Sequence, residues 1–172
     1  MRLYRSQIPR IAEDIIANLA LGGDIVVEAD DRSEAEQDVR AIMDEYLRQE
    51  SRVVQETREH MESLKITYDQ FGKVKSRFAD RRSHSTGDDG IRWIVGQVLE
   101  GFMMSRYVAE VFGDDRSMRK VIMEIFRKHL IDEADLDREV RARMKNMRSG
   151  TDKWEIEYRR IMDEVRGKRG LA

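Results

Sequence analysis

Residues 33–64 read SEAEQDVRAIMDEYLRQESRVVQETREHMESL, and their spacing decides the fold. Val39, Ile42, Met43, Tyr46, Leu47, Val53, Val54, Thr57, Met61 and Leu64 recur at steps of three and four. That spacing places them on one stripe of a helix. Neither Gly nor Pro interrupts the run. Ser33 followed by Glu36 has the form of a capping box, in which the hydroxyl accepts from the Glu36 amide and the carboxylate reaches back. Unbroken, such a helix is roughly 50 Å long. One short neighbour does not cover that length, so partner helices or another chain are expected along it.

Residues 117–147, SMRKVIMEIFRKHLIDEADLDREVRARMKNM, read as a second copy of the same run. At an offset of 83, Val39 aligns with Ile122, Ile42 with Ile125, Met43 with Phe126, Leu47 with Leu130, Val53 with Leu136, Met61 with Met144 and Leu64 with Met147. The same offset aligns Ile8, Ile11, Ile15, Ile16 and Leu19 with Ile91, Ile94, Val98, Leu99 and Phe102. It also pairs Phe71 with Trp154 and Phe78 with Ile161. Asp31-Arg32-Ser33 aligns with Asp115-Arg116-Ser117 at 84, a slip of one residue that a loop tolerates. One offset held across three helices predicts an internal duplication. The expected architecture is all-α: two similar three-helix units with long central helices, related by a pseudo-two-fold axis as in a fused homodimer. The first repeat is residues 1–81, the linker 82–90 and the second repeat 91–172, the two packing together because each alone has a thin core.

Outward from the long runs, a helix is predicted over residues 6–21, with Pro9 in its first turn, where the missing N–H matters little. Gly22-Gly23 ends it. Ile25-Val26-Val27 is β-branched and reads as extended, too short to form a sheet by itself. A third helix is predicted over 69–82, with Phe71, Val74 and Phe78 inward, and RSHSTGDDG at 82–90 is the clearest break in the chain.

The chain has 172 residues, of which 40% are hydrophobic and 38% charged, with one Pro and no Cys. So high a charged share suits long helices with solvated outer faces. Without Cys there is no disulfide framework, thiolate metal site or thiol nucleophile. The N-terminal segment lacks an apolar core of signal-peptide length, and residues 91–104 are interrupted by Arg92, Gln97 and Glu100. A cytoplasmic protein without membrane insertion is expected. The net charge of -2 is unevenly spread: residues 13–50 carry -9, 73–82 carry +4 and 159–169 carry +3. Such asymmetry suits head-to-tail docking of molecules or halves, or simply solvated faces.

The ends of the chain carry a resemblance. Met1-Arg2-Leu3 before an Ile-rich helix, the segment SGTDKWEIEYRR at 149–160, and the closing Arg166-Gly167-Lys168-Arg169-Gly170 resemble the family known as domain of unknown function 507. In that family a Gly-Ser-x-x-Trp-like segment leads into a final helix that carries a Tyr and closes on basic residues. The first half departs from this pattern, with Phe71 in place of the Trp and no Gly before it. The resemblance implies a small bacterial helical protein and brings no activity, cofactor or catalytic residue.

Motifs for chemistry are missing. There is no His-Glu-x-x-His, no Glu-x-x-His, no phosphate-cradling glycine loop and no Gly-x-Ser-x-Gly elbow. His60 reads as a surface contact of Glu56, His84 as solvated in the linker, and His129 as half-buried packing at the position matching Tyr46. Glu28, Asp30 and Asp31 read as a carboxylate-rich loop that lacks the ligand pattern of an EF-hand. No catalytic residue, metal or cofactor is expected.

Three features point to binding. Trp154 and Tyr158, one helical turn apart, are a possible partner anchor or a clamp on the long helix. Methionines crowd the second half and read chiefly as core filler, otherwise as an adaptable docking surface. Lys73, Lys75, Arg77, Arg81 and Arg82, with Arg141, Arg143, Lys145, Arg148, Arg159, Arg166, Lys168 and Arg169, form two basic sets. The leading expectation is a non-enzymatic interaction or scaffolding protein, acting on a protein partner or as a homo-oligomer. The alternative is a nucleic-acid-binding protein using segments 73–82, 141–148 and 159–169.

Overall fold

The computed structural model describes residues 1–130, 133–147 and 149–171. It is all-α apart from one two-stranded ribbon. A 3-10 turn at Arg5–Gln7 leads into α1 (Ile8–Leu21); β1 (Ile25–Val26) precedes α2 (Arg32–Ser63), and a 3-10 turn at Tyr68–Gln70 opens α3 (Phe71–Arg81). After the loop come α4 (Gly87–Met104), β2 (Glu110–Val111), α5 (Asp115–His129), α6 (Glu133–Arg143) and α7 (Asp152–Lys168).

The predicted stripe of α2 is the buried one: Val39, Met43, Tyr46, Val53, Thr57 and Met61 all turn inward. Thr57 is fully enclosed, and its hydroxyl is satisfied by the Val53 carbonyl one turn back. Leu64, expected on this stripe, is largely exposed, because α2 has ended at Ser63 and the chain has turned away. The predicted cap is also displaced. The helix starts from Asp31, and Ser33 lies inside it without a capping bond. At the second start Asp114 is the cap, its carboxylate accepting from the Ser117 amide at 3.0 Å and the Ser117 hydroxyl at 2.6 Å.

The largest departure from expectation lies in the second run. Residues 117–147 do not form one helix; α5 ends at His129 and α6 begins at Glu133. Leu130 is extended (φ -81, ψ 138). The reason is tertiary. The Gln7 side-chain amide donates to the His129 carbonyl at 2.6 Å, and His129 Nε2 lies 2.7 Å from the Asp14 carboxylate. Both partners come from the first-half segment leading into and along α1, so they stop α5 from outside its own sequence.

The main core lies among α1, α2, α4 and α5. α1 packs on α2 and α5, while α4 packs on α5 and α2, so the two halves of the chain interleave. Ile11, Ile15, Leu19, Ile94, Ile122 and Phe126 are sealed within it. The predicted extended stretch does form a strand: Ile25 pairs with Val111 and Val26 with Glu110, antiparallel, across the two halves. A second core sits between α6 and α7, where Leu136, Val140 and Val165 join Tyr4 and Leu171 from the two ends of the chain. The Ser6 hydroxyl donates to the Gly170 carbonyl at 2.8 Å and ties those ends together.

Candidate functional site

Helices α2 and α3 pack on each other, as do α6 and α7, and an open groove runs between the two pairs. Its central cleft of about 450 Å³ is walled by Val54, Tyr68, Phe71, Leu136, Tyr158 and Met162, with Arg58 and Arg159 on its rims. It shares Arg58, Tyr68, Phe71 and Arg159 with a hollow of about 190 Å³ toward Met61 and Ile66. In the other direction it shares Arg2 and Lys75 with a hollow of about 300 Å³ beside Tyr4, Tyr46 and Glu50.

Tyr68 and Phe71 stack, with ring centroids 5.2 Å apart and an interplanar angle of 20°. The Arg159 guanidinium covers the outer face of Tyr68, 4.3 Å from its centroid. The 3-10 turn at Tyr68–Gln70 places Tyr68 one turn before Phe71, which is what lets the rings meet. Many other surface arginines are neutralised along their own helices, as Arg32 and Arg40 are by Glu36, Arg119 by Asp115 and Arg160 by Glu157. Among the described residues, no carboxylate pairs with Arg58 or Arg159.

The buried wall of the groove holds a polar knot. Glu50 accepts from Lys75 Nζ at 2.5 Å, and its other oxygen lies 2.7 Å from His84 Nε2. Burial pushes the Glu50 carboxyl upward, but the bonds from Lys75 and His84 outweigh it and hold the group below the ordinary range. His84 is thus buried in the 82–90 break rather than solvated, with its ring against Tyr46. Burial raises the Tyr46 phenol, whose hydroxyl donates to the Ser85 carbonyl at 3.2 Å. Gly90 makes this approach possible, since a Cβ there would lie 2.1 Å from the Tyr46 hydroxyl.

Trp154 and Tyr158 stack within the second pair, with centroids 5.0 Å apart, and Arg141 lies over both rings. The Tyr158 hydroxyl donates to Asp137 at 2.6 Å, which joins α7 to α6, and the phenol is pushed up to about 12 by burial and by that carboxylate. Tyr158 also reaches the groove wall.

The basic residues predicted to meet phosphate are dispersed. Lys75 is held by Glu50, Arg82 by Glu56, Lys168 by Glu164 and Arg169 by Glu139; Arg166 lies 3.9 Å from Asp163. Arg81 lies over Phe78, and Lys73 and Arg77 are exposed on α3. Lys75 and Arg166 line the groove, whereas Arg148 lies outside the described residues. His60 packs edge-on against Phe78, and Glu56 is taken by Arg82. Tyr68 and Arg58 carried no motif; an aromatic just outside a helix start, beside a second aromatic, was the available signal.

The opposite end of the molecule, around the ribbon, is apolar and acidic. Leu21 (90% exposed), Met104 (87%), Met103 (74%) and Phe112 (70%) project there. Leu21 closes α1 just before β1, and Phe112 follows β2, its amide donating to the Asp24 carbonyl at 2.8 Å. Met103 and Met104 close α4, where the Ser105 hydroxyl donates to Asp38 at 2.8 Å. Exposed Glu28, Asp30, Glu34, Glu110, Asp114 and Asp115 lie on the same segments. The methionines therefore divide, with Met43, Met61, Met118, Met144 and Met162 buried in the cores or between helices.

Among the described residues, no three His, Asp or Glu side chains gather as a metal site would need, and no helix is long and apolar enough to cross a membrane. A family model described as protein of unknown function (DUF507) matches residues 1–171. No curated protein matches the chain.

Proposed function

The chain belongs to the DUF507 family, and we propose that it is a non-enzymatic interaction protein that docks a protein partner on its ribbon end. One observation carries this reading. Leu21, Met103, Met104 and Phe112 stand 70–90% exposed on segments rich in carboxylates. Large apolar side chains left in water at one end of a small protein mark an interaction surface. Unbranched methionines adapt to a partner's shape. The acidic surroundings favour a basic, apolar partner surface and steer its approach. Many helix-face charges pair with one another along their own helices, which leaves fewer of them to compete for a partner.

The test is the quadruple variant Leu21→Ser, Met103→Ser, Met104→Ser, Phe112→Ser. These side chains lie outside the cores, so the thermal midpoint should move little. A partner captured from lysate of the source cells by the wild type should be lost by the variant. Retention of the same partners removes the reading.

A further inference from the structure

We propose that the groove between the α2/α3 and α6/α7 pairs is a second binding site, and that its ligand is single-stranded nucleic acid. This inference is independent of the ribbon end and rests on three observations.

The first is chemical. Tyr68 and Phe71 present a stacked aromatic pair, and Tyr68 is 44% exposed. A flat ring of this kind is what an unpaired base stacks on, whatever its sequence. The second is electrostatic. Arg58 and Arg159 border that pair without a carboxylate partner among the described residues. Several exposed arginines of the chain are neutralised within a turn of their own helix, whereas these two stand beside the aromatic pair with no such contact among the described residues. The third is shape. Three hollows follow one another through shared residues, from Tyr46 past Tyr68 to Ile66. An extended strand fills such a series, whereas a mononucleotide fills one hollow. A duplex keeps its bases inside and offers nothing to Tyr68.

The occupant is thus read from charge complementarity together with stacking. Phosphates lie on Arg58 and Arg159, and a base lies against Tyr68, displacing or sandwiching the Arg159 guanidinium. Arg159 is the pivot, because the cation that covers Tyr68 has no carboxylate partner among the described residues.

The test uses the full chain and fluorescein-labelled single strands of about 12 nucleotides, read by anisotropy from about 50 mM salt upward. Binding should weaken steeply with salt. Tyr68→Ala should weaken it about tenfold through lost stacking. Arg58→Gln with Arg159→Gln should lower the salt slope by about 0.7 per arginine. All three positions are exposed, so circular dichroism should be unchanged. As a control on folding, Lys120→Gln, exposed on α5 away from the groove, should leave affinity as it was. Any of the following overturns the proposal: no binding at the lowest salt, affinity unmoved in the three groove variants, equal affinity for duplex, or equal affinity for inorganic polyphosphate.

Discussion

Helix α2 and the pair α5–α6 occupy corresponding places in sequence, yet one is continuous over 32 residues and the other is cut into pieces of 15 and 11. Most of their apolar positions coincide at an offset of 83, and no Gly or Pro lies at the cut. At the matched point of α2, Glu50 is gripped by Lys75 and His84, and Tyr46 is buried against α4. At the end of α5, Gln7 takes the last carbonyl and Asp14 holds the His129 ring. Periodicity says which face a helix buries. It does not say where neighbours let the helix stop. The consequence is architectural. The cut lets α6 fold on α7 as a separate small core, and the groove exists because this pair faces α2 and α3 without merging with them.

Leu136 and Val53 stand at matched positions, both fully buried, and they probe this contrast most strongly. Leu136→Ala should cost about 2–5 kcal/mol through lost burial and a residual cavity. Hydrogen exchange should localise the damage to α6 and α7. Val53→Ala, which removes fewer methyl groups, should cost less and loosen α2 together with α3. Equal exchange across all four helices in both variants would mean that the two pairs are one cooperative body.

Proline comes next. Ser51→Pro falls inside α2, where it removes a backbone bond and clashes with the preceding turn, at a cost of about 3 kcal/mol or more. Glu133→Pro falls at the first residue of α6, where a helix tolerates proline, and should cost under about 1 kcal/mol. Denaturant titration of the two variants compares them directly. Equal losses would restore a continuous second helix.

The smallest effect is electrostatic. The Glu50 carboxyl is held below its ordinary value of 4.5, so the stabilisation it gives is present above that value and lost as pH falls through the lower folded value. The thermal midpoint of the wild type should therefore fall as pH drops below about 4.5, and Glu50→Gln should flatten that part of the profile. A difference of about 2–4 °C is expected, corresponding to roughly 1 kcal/mol in a chain of this size. Identical profiles would leave the α2 anchor resting on packing alone.

Much of the fold was legible beforehand. Apolar spacing found α1, α2 and α3, the offset of 83 carried the reading to α4 and α7, and Ile25-Val26 was recognised as extended. The strand's partner was not, because Glu110-Val111 is a two-residue strand whose pairing joins the two halves of the chain. His84 looked solvated because its sequence neighbours are polar; its buried state comes from Glu50, 34 residues away. Trp154 and Tyr158 were legible as aromatics one helical turn apart, with Phe71 at the position matching Trp154; that they stack is seen only in the structure. Tyr68, Arg58 and Arg159 were not grouped, since they lie on three different elements.

The amino-acid sequence by itself determined the helical class, the inward faces and the family, because these follow from local spacing and from residues adjacent in the chain. Only the tertiary structure decided where the second long helix stops, which cations meet no carboxylate among the described residues, and which apolar side chains remain in water. Those outcomes depend on contacts between residues far apart in sequence, and no window along the chain contains both partners.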